Sequence, residues 1–138
     1  MNKVFKYLDK NEIEKVSSIC KQCVFQENII VFSAGDRNRD ILVIEAGIID
    51  VLLVDAKGND YIVTQLTDGD VIGEMNFILP LRRTASIKTR TKTKIVTIPY
   101  QDFVVLISNE VEISVKIFKA INEILAEKLQ NTIALIRG

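Results

Sequence analysis

Between Val24 and Pro99, β-branched and aromatic residues come in short runs that Gly, Asp and Asn keep interrupting. The runs read as strands over 29–33, 41–45, 48–54, 60–66, 71–74, 83–89 and 93–98, because branched side chains suit a pleated surface. Turn residues separate them: Ala34-Gly35-Asp36, Ala46-Gly47, Lys57-Gly58-Asn59-Asp60 and Thr67-Asp68-Gly69-Asp70. Many short strands at close, regular spacing predict an antiparallel sandwich or barrel.

Helical periods flank this region. Val4, Phe5 and Leu8 make a short apolar-spaced turn, and Asp9 or Asn11 suits the N-cap of a helix over 10–22. Ile13, Val16, Cys20 and Cys23 fall at 3-4-3 spacing, which places both cysteines on one core-facing stripe. After Pro99 a short helix is expected at 101–108 and a long one at 111–136, with Gly138 as its stop. Val115, Phe118, Ile121, Leu125, Leu129, Ile133 and Ile136 mark the apolar face of the long helix, widened by Ile117, Ile124 and Leu135. So wide a face calls for the β-domain on one side and a second helix on the other, as in a homodimer. The 138 residues fit a single domain: N-terminal helices over 1–23, a β-region over 24–99 and C-terminal helices over 100–138.

Composition narrows the chemistry. The apolar fraction is 48% and the charged fraction 26%, an ordinary globular balance. Lys plus Arg equals Asp plus Glu at 18 each, which argues against nucleic acid as the main partner. No apolar run is long enough to span a bilayer and the N-terminus lacks a signal pattern, so a cytoplasmic protein is expected. There is no histidine. The commonest general base and metal ligand are therefore missing, which counts against a metal-binding cupin. One Cys-x-x-Cys pair is too few for a four-cysteine metal site. Without a nucleophile motif or an acidic cluster at metal-ligand spacing, an enzyme acting on phosphate esters is disfavoured, and no catalytic or metal-binding residue is assigned.

The stretch Val71-Ile72-Gly73-Glu74-Met75-Asn76-Phe77-Ile78-Leu79-Pro80-Leu81-Arg82-Arg83-Thr84-Ala85-Ser86 carries a carboxylate and a guanidinium. A carboxylate accepts from a ribose hydroxyl, and a guanidinium grips a phosphate in a fork that lysine cannot match. The stretch resembles the phosphate-binding cassette of the cyclic nucleotide-binding domain family. Gly35-Asp36, Gly47, Gly69-Asp70 and Gly73-Glu74 also sit where that family's β-roll turns. The order of helix, short strands, short helix and long helix matches it over nearly the whole chain. The resemblance implies an antiparallel, jelly-roll-like β-roll of about eight strands. It has an N-terminal helix and, after the roll, a short helix and a long one. It implies a non-enzymatic sensor that takes cAMP or cGMP as ligand and no further cofactor.

By the same resemblance, Glu74 and the Gly73 backbone bind the ribose 2′-hydroxyl. Arg83 pairs with the cyclic phosphate, and the N–H groups of Thr84 and Ala85 add to it. Val63 and Met75 form apolar walls for the purine. Thr132, aligned with catabolite activator-like helices, meets the adenine amino group. Arg82 is expected to be solvated. Thr84 resembles cGMP-dependent kinase sites, whereas Arg-Arg-Thr-Ala-Ser resembles cAMP-responsive channel domains; bacterial-type chains of this shape lean towards cAMP. Three positions depart from the family pattern. Asn76 replaces a small residue, Ile72 replaces Phe, and Gln26-Glu27-Asn28 replaces a Lys-Gly-Glu turn, where Asn28 tolerates left-handed backbone.

The ligand would bridge a rigid roll and a movable helix, shifting the helix population. No DNA-binding helix-turn-helix is read within the 138 residues. The expected readout is therefore a downstream protein partner, or a segment outside this sequence. The competing reading is a degenerate roll that has lost its ligand and serves as a dimerisation or docking module.

Overall fold

A computed structural model describes residues 2–137. Among them are eight strands, all antiparallel: β1 Lys21–Phe25, β2 Ile30–Phe32, β3 Ile41–Ala46, β4 Ile49–Val54, β5 Asp60–Leu66, β6 Val71–Ile72, β7 Ser86–Thr89 and β8 Thr93–Ile98. The helices are α1 Lys10–Ser17, α2 Glu74–Ile78, α3 Tyr100–Ile107 and α4 Val111–Arg137, with a 3-10 turn at Lys3–Phe5. Contacts group the chain into a β-unit, Cys20–Tyr100, and a helical unit made of the segments on either side of it.

The β-unit is two four-stranded sheets, ordered β1-β8-β3-β6 and β2-β7-β4-β5. Leu42, Ile44, Ile72 and Ile95 from the first sheet meet Ile49 and Ile87 from the second in a buried core. Phe25, Val31, Phe32, Val51 and Leu66 pack around its edge. This is the expected jelly-roll-like β-roll. At the turn after β1, Asn28 adopts φ 60°, the left-handed conformation for which its short amide is suited.

In the helical unit, Asp9 caps α1 through a capping box. Its Oδ1 accepts from the Glu12 N–H at 2.8 Å, and Glu12 Oε1 accepts from the Asp9 N–H at 3.0 Å. Lys116 on α4 donates to the same Glu12 oxygen at 2.6 Å. Tyr7 and Lys6 both reach Glu123. The buried stripe of α4 is Ile113, Ile117, Ala120, Ile121 and Ile124, and Phe103 of α3 meets Phe118 edge to face at 6.2 Å.

Several expectations are corrected here. Helix α1 stops at Ser17 rather than 22, and β1, which was not expected, begins at Lys21. Cys23 therefore lies exposed on a strand and Cys20 precedes it, so the two do not share a helical face. The pairing of Lys21–Phe25 with Thr93–Thr97 overrides a locally helical spacing. Burial pushes the Cys20 thiol up to about 11, which leaves it protonated and inert at neutral pH. Of the expected apolar face of α4, Ile117, Ile121 and Ile124 are buried, whereas Val115, Leu129, Ile133 and Ile136 are exposed. The strands expected over 71–74 and 83–89 are shorter, because α2 begins at Glu74 and β7 only at Ser86. Gly138 lies outside the described residues.

Candidate ligand-binding site

Gly73 joins β6 to α2. Its φ of 86° is left-handed, which a residue without a Cβ adopts freely, and it is the N-cap of α2. The sharp turn sends Glu74 inwards as the first helical residue, 4% exposed. Asn76 and Phe77 follow it inwards, while Met75 faces out.

Arg83 returns to the same place from the far end of the cassette. Its main chain is pinned to the turn before β3. The Arg83 N–H donates to the Asp36 carbonyl and the Gly35 N–H donates to the Arg83 carbonyl, both at 2.8 Å. Its side chain is 3% exposed. Nη1 donates to Asn76 Oδ1 at 3.1 Å. Nη2 donates to Asn38 Oδ1 at 3.0 Å and to the Asp40 carbonyl at 2.8 Å. The Phe32 ring lies over the guanidinium carbon at 4.3 Å, a cation–π contact. Nε is buried without a hydrogen-bond partner among the described residues. Burial draws the Arg83 pKa below its ordinary value, opposed by the carboxylates of Asp40, Asp36 and Glu74. A guanidinium stays charged under such a shift, so the site offers a fixed positive charge and an unmet N–H donor.

Asn76 ties the cassette to itself. Its Nδ2 donates to the Leu81 carbonyl at 2.6 Å while its Oδ1 accepts from Arg83. Residues 38–40 form the opposite wall. Arg39 donates to the carbonyls of Asn76 and Phe77 at 2.8 and 3.2 Å and stacks on Tyr100 at 3.8 Å. Asp40 Oδ1 accepts from the Tyr100 N–H at 2.8 Å, and Phe77 meets the Tyr100 ring edge to face.

Gly73 and Asn76 thus both adjoin the Arg83 guanidinium, and Glu74, next to Gly73 in the chain, is one of the carboxylates that act on its charge. Thr84 is exposed and Ala85 half-buried, and both precede β7, outside its ladder. Val63 on β5 and Met75 on α2 are about half exposed, at 50% and 55%. Thr132 belongs to the helical unit; it is exposed on α4, its hydroxyl donating to the Lys128 carbonyl at 3.0 Å. Arg82 is exposed, as expected, and also donates to the Gly35 carbonyl at 3.2 Å. Asn38, Asp40 and Phe32 are site residues that the cassette pattern did not indicate. Phe32 lies in the strand read over 29–33, Asn38 and Asp40 lie between the turn at 34–36 and the strand read over 41–45, and no local signal points from them to Arg83.

Comparison with known proteins bears on the family and the fold. Residues 22–110, more than half of the chain, match the family model described as the cyclic nucleotide-binding domain. The cAMP-dependent protein kinase regulatory subunit of Schizosaccharomyces pombe is 29% identical over 106 residues, covering 77% of this chain and 25% of that protein. The chain thus spans about a quarter of the length of the relatives it matches in sequence. A cyclic nucleotide-binding domain from Methylobacillus flagellatus superposes with a TM-score of 0.87 at 18% identity, covering 96% of this chain and 74% of that one. The regulatory subunit of a cAMP-independent protein kinase A from Trypanosoma brucei superposes with a TM-score of 0.71 at 18% identity, covering 92% and 43%. At such identities the superpositions concern the fold alone.

Proposed function

The chain belongs to the cyclic nucleotide-binding domain family, and we propose that it is a sensor module with a single cyclic nucleotide site, preferring cAMP to cGMP. The observation that carries this reading is Arg83: a buried cation with an unsatisfied Nε, placed beside Gly73 and Glu74. Such a group is costly to bury and calls for an anion.

In this reading Arg83 takes the cyclic phosphate, assisted by the N–H groups of Thr84 and Ala85. Glu74 and the Gly73 backbone take the ribose hydroxyl. Val63 and Met75 present apolar surface that a purine would cover, and Thr132 meets the base. The preference for cAMP is supported by the kinase regulatory subunit relative, whose name carries that ligand. The reading assigns no catalytic step and no further cofactor.

Helix α4 is the readout. Its last turns expose Leu129, Ile133, Leu135 and Ile136, apolar surface suited to a second copy of the chain or to a downstream protein. Ligand would favour the helix position that gives it more contacts. A cytoplasmic setting goes with this role. No helix among the described residues is long and apolar enough to cross a membrane.

The test is calorimetric titration of protein that has been unfolded and refolded to strip carried-over ligand, with cAMP and cGMP in separate runs. One-site binding that weakens roughly 10–100-fold or more in Arg83→Ala is expected, from the loss of a charge-assisted bond. A second reading, a docking module without ligand, is favoured by one observation: three protein oxygens already occupy the Arg83 guanidinium. Absence of heat with either nucleotide would select it.

A further inference from the structure

A guanidinium grips an oxyanion at two points through one of two edges, Nε with Nη2 or Nη1 with Nη2. Both edges need Nη2. In this chain Nη2, which has two hydrogens, already donates to two acceptors, Asn38 Oδ1 and the Asp40 carbonyl. Nη1 donates to Asn76, and Nε has no hydrogen-bond partner among the described residues. A phosphate that takes Arg83 bidentately must therefore displace one acceptor from Nη2.

The two acceptors differ in how they can leave. The Asp40 carbonyl belongs to the main chain immediately before β3, and its residue is anchored from outside the loop by the Tyr100 N–H, which donates to Asp40 Oδ1. Asn38 is an exposed side chain on the loop before β3, with two rotatable bonds; its Oδ1 accepts from the Asp40 N–H and its Nδ2 donates to Asp40 Oδ2 at 3.1 Å, local bonds at an exposed position that water can replace. Asn76 is buried and tied at its other end to Leu81, so it does not yield either.

We propose that Asn38 is a built-in competitor for the ligand phosphate: its amide oxygen occupies Nη2 in the free protein and is expelled when nucleotide binds. Asn76 and the Asp40 carbonyl are the mounts that keep Arg83 in place during the exchange. Asn38 thereby sets the affinity of the site without touching the nucleotide. The inference rests on the reading of Arg83 as the phosphate anchor, and it adds a residue that tunes it.

The test titrates the refolded full chain with cAMP and, separately, cGMP, comparing wild type, Asn38→Ala and Asn38→Asp, with circular dichroism to check folding. Removing the competitor should tighten binding about three- to tenfold, the effect of one net hydrogen bond. Asn38→Asp keeps the acceptor and adds a charge, so it should weaken binding by at least as much. A merely structural role for Asn38 in the 38–40 turn would weaken both variants, or spare the aspartate, which still accepts from the Asp40 N–H. Wild-type binding with Asn38→Ala unchanged or weaker overturns this proposal and leaves the phosphate site standing. Binding by Asn38→Ala alone supports it strongly. No binding by wild type or by folded Asn38→Ala overturns the phosphate site and the proposal together.

Discussion

Arg83 Nη1 occupies the space that a side chain on Gly73 would need: a Cβ at position 73 would stand 2.2 Å from it and 2.9 Å from the Asp40 carbonyl. The glycine whose backbone is proposed to meet the ribose also makes room for the guanidinium that is to bind the phosphate. Gly73→Ala should therefore damage the site twice. The φ of 86° becomes strained, at about 1–3 kcal/mol, and Arg83 is pushed off its acceptors. A lower melting temperature together with at least about tenfold weaker nucleotide binding is expected. Thermal unfolding and titration of the same preparation check this; unchanged binding would mean that Arg83 acts from elsewhere.

Arg83→Lys is not a conservative change here. Lysine keeps the charge but has no planar fork, and it cannot meet Asn76, Asn38 and the Asp40 carbonyl at once. It also loses the flat contact with Phe32. Nucleotide binding should fall roughly tenfold or more, and stability by about 1–3 kcal/mol, because buried acceptors lose their donor. Denaturant unfolding and calorimetry would show both losses. Binding at wild-type strength would remove Arg83 from the phosphate site.

Much of the architecture was legible because it rests on local signals. The turn residues Gly35, Gly47 and Gly69 delimit strands that begin and end close to where they were expected, and α3 and α4 follow their apolar periods. What failed was non-local. Strand β1 exists because Lys21–Phe25 pairs with β8, some seventy residues downstream by position. Nothing in Cys20-Lys21-Gln22-Cys23 signals that pairing, and a helical spacing of Val16, Cys20 and Cys23 points the other way. The candidate site divided in the same manner. Glu74 and Arg83 stand in one contiguous motif, so the sequence alone nominates them. Asn38, Asp40 and Phe32 reach Arg83 only once β2 has paired with β7 and the turn before β3 has bonded to the Arg83 main chain, so their roles appear only in three dimensions. Asn76 was noticeable as a departure from the family pattern, but its bond to Arg83 depended on where the chain returns after Pro80.

Asn76→Ala separates a mount from a competitor. The wild-type amide holds Leu81 through Nδ2 and Arg83 through Oδ1, so it links the two ends of the cassette from a position that is 8% exposed. Truncation leaves the Leu81 carbonyl and one Arg83 N–H without partners. The variant should lose about 1–3 kcal/mol of stability and bind nucleotide about three- to tenfold more weakly. The sign is opposite to that expected for Asn38→Ala, although both residues accept from the same guanidinium. Tighter binding by Asn76→Ala in a calorimetric titration would make Asn76 a second competitor instead.

Asp50 on β4 gives the β-unit an acid-sensitive tie that is independent of the ligand. Its side chain is 10% exposed. Arg90 donates to it through Nε at 3.0 Å and Nη2 at 3.0 Å, and Gln65 donates at 2.8 Å. Burial raises the Asp50 carboxyl, but the bonds from Arg90 and Gln65 outweigh it and leave the pKa below the ordinary carboxylate value. A carboxylate whose pKa is depressed by folding stabilises the fold above its unfolded pKa. That contribution is lost as the pH falls through the lower, folded value. Wild type should therefore lose melting temperature on acidification through and below the ordinary carboxylate range. Asn at this position still accepts from Arg90 and Gln65 but does not titrate. Asp50→Asn should accordingly start less stable at neutral pH and show a shallower decline in acid, so that the two melting curves converge. Parallel curves in thermal unfolding from neutral pH downwards would mean that Arg90 and Gln65 do not favour the charged form of Asp50, and that acid sensitivity lies elsewhere in the chain.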